Sequence, residues 1–154
     1  MGYMKAATAY VNLHALQHNL EQVKAQAPNS KVMAIVKANG YGHGLDQIAE
    51  HATSADAFGV ARVEEAIRLR ASGVVKPILL LEGFYAAQDL PVLAANNLQT
   101  AVHCEEQLEA LEQAQLDSPL VVWLKIDSGM HRLGVNPDQY QEFVTRLEAC
   151  PNVA

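Results

Sequence analysis

Only two cysteines, Cys104 and Cys150, occur in this 154-residue chain. They stand alone, without metal-ligand spacing, and lone thiols fit a reducing, cytoplasmic setting. No run of lysines or arginines is present, and the formal charge is −6, which argues against a nucleic-acid surface. No apolar stretch approaches the roughly 20 residues that cross a bilayer, so no membrane partner is expected. Met1-Gly2-Tyr3-Met4-Lys5 has no long apolar core behind it, and no secretion signal is expected there. Phosphate-loop and dinucleotide fingerprints are missing as well: the glycines of Gly40-Tyr41-Gly42-His43-Gly44 alternate singly and no GK[ST] follows. His14 and His18 share a helix face at metal-ligand spacing but lack a third ligand, so no metal is expected. What is present is ordinary globular composition, 50% hydrophobic and 18% charged, in a chain long enough for one domain with a real core.

Short β-prone runs alternate with amphipathic stretches at a steady beat. The runs end near Lys37, Val60, Leu81, Val102 and Ile126, at intervals of 23, 21, 21 and 24 residues. One strand, one helix and two short loops give that interval. Between the runs, Leu45-Ile48-Ala49-Ala52, Val63-Ala66-Ile67-Arg70, Leu108-Leu111-Ala114 and Tyr140-Phe143-Val144-Leu147 keep close to helical spacing. Asn136-Pro137 reads as a helix start, and Glu105-Glu106 suit a helix N-terminus. Glu64 and Arg68 are spaced as an i,i+4 pair. Upstream, Ala6–Val11 reads as a possible strand, followed by a helix from about Leu13 to Ala27 capped by Asn12. Such a beat fits an open doubly wound sheet or a (β/α)8 barrel, and the missing nucleotide fingerprints favour the barrel. The expected class is α/β, an incomplete (β/α)8 TIM-type barrel of about five to six parallel strands, the sixth opening at Pro151–Ala154. At roughly 23 residues per unit, closure needs on the order of 50 more residues. The chain is therefore expected to be a truncated piece of a larger protein.

Barrels of this kind carry their chemistry at the C-terminal ends of strands. Lys37 stands there on the first run, behind Val32-Met33-Ala34-Ile35-Val36 and ahead of a glycine-rich turn containing Tyr41. A desolvated amine so placed can attack a carbonyl and form a Schiff base, whereas a solvated strand-end lysine would do nothing. His103-Cys104 end the fourth run, and Asp127-Ser128-Gly129 the fifth. Within Leu120–Asp127, alternation sends Val121, Trp123, Lys125 and Asp127 to one face. Lys125 must there be paired, for instance with Asp127, or modified. The loop Ser128-Gly129-Met130-His131-Arg132-Leu133-Gly134 presents Arg132, which can clamp an oxyanion or carboxylate. Tyr41 can give its hydroxyl to a phosphate or to the lysine, or pack as a plug. His43 suits a hydrogen-bonding role in the turn.

Together these motifs resemble the alanine racemases. Val36-Lys37-Ala38-Asn39-Gly40-Tyr41-Gly42-His43-Gly44 looks like that family's pyridoxal-phosphate attachment motif, and Leu124–Gly134 looks like its second signature. Phe58–Ala66 and Ile78–Gly83 also run as in bacterial members. The resemblance implies a PLP-binding (β/α)8 barrel followed by a mostly β C-terminal domain, working as a homodimer. Residues 1–154 would be the N-terminal portion of the barrel, the remaining units and the β domain lying beyond it. It implies that Lys37 carries pyridoxal 5'-phosphate and acts as the base on one face of the substrate α-carbon. It further implies that Tyr41 helps hold the cofactor phosphate, Leu81 packs near the ring, and Arg132 contacts the cofactor's phenolic oxygen and steadies the substrate. Lys125 matches a lysine that many members carry as a carbamate. Ser128 replaces the commoner threonine. The implied activity is interconversion of L- and D-alanine, for peptidoglycan supply or alanine catabolism, in the cytoplasm. The 154-residue piece by itself is expected to be inactive and poorly soluble, partly disordered or associated with another chain. Rival readings are a non-catalytic PLP-binding barrel protein, a racemase of broader amino-acid scope, and a decarboxylase on the related fold.

Overall fold

The structure is a computed structural model that describes residues 7–154. Helix α1, Leu13–Gln26, begins where Asn12 accepts the Ala15 N–H through its side chain at 3.1 Å, as the sequence predicts. Of the possible strand ahead of it, Ala6 lies outside the described residues, and residues 7–12 form no strand. Short apolar character alone did not supply a pairing partner there.

Five strands follow, β1 Met33–Ile35, β2 Ala57–Val60, β3 Ile78–Leu80, β4 Gln99–Val102 and β5 Val122–Leu124. All are parallel, and their order in the sheet is their order in the chain, 1-2-3-4-5. A doubly wound sheet reverses direction at a switch point, and this one never does, so the topology is that of barrel units. A Leu120–Val153 bridge sets the start of a sixth strand beside β5. The helices are α2 Leu45–His51, α3 Val63–Ala71, α4 Leu90–Ala95, α5 Glu105–Gln113 and α6 Tyr140–Ala149, the last entered through a 3-10 turn at Pro137–Gln139. Only α4 escapes the periodicity reading, because it is six residues long and carries Pro91 in its first turn.

Register decides which side chains go where. Val36, Phe58, Val60, Ile78, Leu80 and Val102 face the helices and are buried, joined by Leu108 and Leu111 of α5 and Phe143 and Leu147 of α6. The alternate positions face the concave side, where Trp123 is 49% exposed and Ile35 39%. Trp123 donates its indole N–H to Gln99 Oε1 across two strands at 2.9 Å. Outside the sheet, Arg146 ties α6 to α5 by forking onto Glu112 at 2.7 and 2.8 Å and by reaching Glu105. Arg68 does not pair with Glu64 as its spacing predicts. It forks onto Asp46 of α2 at 2.6–3.1 Å, since a neighbouring helix offers a better-placed carboxylate than its own surface does.

Candidate functional site

Beyond β1 the chain does something that apolar periodicity could not announce. Val36 still bonds the sheet, its N–H to Gly59 O at 2.9 Å. Then Ala38, Asn39, Gly40 and Tyr41 take φ values of 52°, 56°, 63° and 53°, one turn of left-handed helix. For non-glycine residues that conformation costs roughly 1–2 kcal/mol each. It is closed by backbone bonds from Gly40 N to Val36 O, Gly42 N to Ala38 O and His43 N to Gly40 O, at 2.8–3.0 Å. His43 adds an Nδ1 bond to Gly40 O at 2.9 Å, the turn-holding role its position predicts.

Lys37 stands at the foot of this turn, half-buried at the C-terminal end of β1, with no ion-pair partner among the described residues. Ile35, two residues earlier, faces the concave side and is 39% exposed. Leu81 shares that side: a Cβ added at Gly59 would lie 2.6 Å from Ile35 Cδ1 and 3.3 Å from Leu81 Cδ2. Gly59 is thus the gap through which the first and third strands' side chains approach each other. Tyr41 is exposed beside Lys37's turn and lines a groove of about 460 Å³ with Tyr10, Ile35 and Ile48.

Across the sheet, the loop after β5 is clipped at its base by Val135 N to Lys125 O and Asp127 N to Val135 O, at 2.8 and 2.9 Å. Gly134, at φ 134°, makes the clip possible, since a Cβ there would fall on the Asp127 amide nitrogen and 2.7 Å from the Ile126 carbonyl carbon. Asp127 does not pair with Lys125. Its carboxylate accepts the backbone N–H groups of His131 and Gly129 at 2.9 and 3.1 Å and meets His131 Nδ1 at 3.0 Å. These bonds, led by the His131 N–H, hold its pKa below the ordinary aspartate range. Lys125 is left half-buried with no acidic partner among the described residues, and Arg132 is exposed on the loop, likewise without one. Leu81 meets Ile35 beside the strand that leads to Lys37, while Lys125 and Arg132 follow β5 at the same end of the sheet.

His103 and Cys104 prove structural in placement. His103 Nε2 donates to Glu82 O at 3.0 Å, and buried Gln107 joins them by accepting the His103 N–H and donating to Glu82 O and Phe84 O. Gln107 was not singled out by sequence, although its spacing from Leu111 places it on the buried stripe of α5. Cys104 lines a cavity of about 470 Å³ with Glu82 and Tyr85, and burial pushes its thiol pKa up, away from a reactive thiolate. No three potential metal ligands cluster among the described residues.

The amine of Lys37, the phenol of Tyr41 and the guanidinium of Arg132 thus follow strands β1 and β5 at one end of a parallel sheet. Comparison with known proteins bears on the family of the chain. Residues 11–154 match the family alanine racemase, N-terminal domain. The alanine racemase of Vibrio cholerae is 76% identical over 151 residues, and that of Photobacterium profundum 68%. Those alignments cover 98% of this chain and 42% of each relative, so the chain spans well under half their length. Among solved structures, the biosynthetic alanine racemase from Pseudomonas aeruginosa superposes with a TM-score of 0.89 at 42% identity, over 94% of this chain and 40% of that one. A histidine racemase from Leuconostoc mesenteroides gives 0.81 at 28% identity, over 92% and 39%. With the singly wound sheet, the two motifs and this match in hand, the chain belongs to the alanine racemase N-terminal domain family.

Proposed function

We propose that residues 1–154 are the lysine-bearing barrel portion of a pyridoxal-phosphate-dependent alanine racemase. The observation that carries the reading is Lys37, a half-buried amine without an ion-pair partner, fixed at a strand end by a left-handed turn. The donor set fits the cofactor: an amine for its aldehyde, the Tyr41 hydroxyl for its phosphate, Leu81 for its ring face and the Arg132 guanidinium for its phenolic oxygen. When bound, the cofactor supplies the electron sink that makes a substrate's α-hydrogen acidic. Lys37 Nζ would hold the cofactor and would take or return the α-proton on its own face. Arg132 holds the substrate side. Lys125 would carry a carbamate, whose negative charge would draw Arg132 inward and remove the cost of a half-buried cation.

Alanine is the proposed substrate, and a second copy of the protein the proposed partner. A role in D-alanine supply for peptidoglycan, a cytoplasmic location and a following β domain belong to the same reading. The likeness to a histidine racemase keeps a broader amino-acid scope as the second reading.

The test is D-alanine formation from L-alanine by the protein expressed in full, supplemented with the cofactor. Lys37→Ala is expected to lower kcat/KM about a thousandfold or more while leaving the unfolding midpoint nearly unchanged. Undiminished turnover in that variant would overturn the assignment. Comparable rates on L-histidine would favour the second reading.

A further inference from the structure

Three sets of contacts converge on Asn39, the second residue of the left-handed turn. Its side-chain Oδ1 accepts the Leu45 N–H at 3.1 Å, and its carbonyl accepts the Gly44 N–H at 2.9 Å. Helix α2 therefore takes its N-terminal cap from six residues upstream, because Gly44, at the usual capping position, has no side chain to offer. From the neighbouring unit, Glu65 Oε1 lies 3.4 Å from the Asn39 N–H nitrogen, and Arg68 Nη1 lies 3.4 Å from Asn39 Oδ1. Both come from α3, one turn apart, and both are themselves anchored. Glu65 Oε2 accepts the Ala61 and Arg62 N–H groups at 3.1 and 3.2 Å, and Arg68 forks onto Asp46. An exposed ion pair of this kind adds little to global stability. Its geometry is better explained by what it holds.

We propose that Asn39 is a positioning residue for Lys37, fixing the left-handed turn to α2 and, through Glu65 and Arg68, to α3. The proposal rests on Lys37 being the reactive amine. Lys37 precedes the turn directly, so the first constrained peptide unit after it sets where its side chain starts. Release of Asn39 would let the backbone leave a conformation that Ala38 and Tyr41 do not favour by themselves, and a small displacement of a reacting group costs rate steeply.

The test uses the protein expressed in full. Asn39→Gly keeps the left-handed conformation accessible but deletes Oδ1, Asn39→Asp keeps an acceptor, and Arg68→Met removes the fork. Hydrogen exchange of peptides spanning residues 38–48 reads the turn directly. The rate at which pyridoxal phosphate attaches to Lys37, trapped by borohydride, reads its consequence. In Asn39→Gly, protection at Gly44 and Leu45 is expected to fall at least tenfold and attachment to slow several-fold, with Asn39→Asp restoring both and Arg68→Met intermediate. Unchanged protection and attachment in Asn39→Gly would overturn the proposal. Should Asn39→Gly unfold throughout, Arg68→Met decides by the same two readouts. If wild-type Lys37 attaches the cofactor no faster than Lys24 or Lys31 does, the functional reading fails, and the exchange data still judge the latch.

Discussion

Asp127 illustrates how much one side chain can hold. Its carboxylate gathers the N–H groups of Gly129 and His131 and the His131 imidazole, and so shapes the loop that presents Arg132. Because those bonds favour the charged form, its folded-state pKa lies below the unfolded value. The stabilisation is therefore complete above the ordinary aspartate pKa, about 3.9, and is lost as pH falls through the lower folded value. Hydrogen exchange at residues 129–134 should accelerate in acid before the sheet opens, and Asp127→Asn should show fast exchange already at neutral pH. Equal, pH-independent protection in both proteins would contradict this. Other single residues were legible in the sequence only up to a point. Lys37, Tyr41 and Arg132 stood out because their types and flanking glycines carry chemistry. Asn39 and Gln107 did not, since their value lies in partners four to 29 residues away that no local pattern displays.

Helices and strands were legible to the extent that they are periodic. The beat of strand ends placed all five strands because strand, loop and helix recur along the chain at a nearly constant interval. The left-handed turn was invisible, as Ala38 and Tyr41 adopt it against their own preference and the surroundings impose it. The Lys125–Asp127 pairing failed for a related reason: alternation puts both on one face, but two backbone N–H groups of the following loop compete for the carboxylate and win. Helix α6 offers the plainest energetic test. Phe143 is 1% exposed against α5, so Phe143→Ala is expected to cost about 3–5 kcal/mol, seen as a lower urea midpoint. A loss below about 1 kcal/mol would mean that α6 is not seated on the core as described.

Taken together, the elements leave one face of the sheet covered and the other open. Trp123, Ile35 and Val121 present apolar surface on the concave side, next to the groups assigned to chemistry. Such a face favours association, so the 154-residue chain alone is expected to self-associate with micromolar-range concentration dependence, bind apolar dyes and yield its Trp123 fluorescence readily to iodide. A sharp, concentration-independent monomeric unfolding transition would speak against that. Everything assigned to the site depends on the amine of residue 37. The most direct measurement is to incubate the complete polypeptide with pyridoxal phosphate, reduce with borohydride and map the modified peptides. A single pyridoxyl group on Lys37, with Lys24, Lys31 and Lys76 unmodified, is the predicted result. Modification scattered over those lysines, which are exposed, ion-paired or carbonyl-bound, with Lys37 untouched, would contradict it.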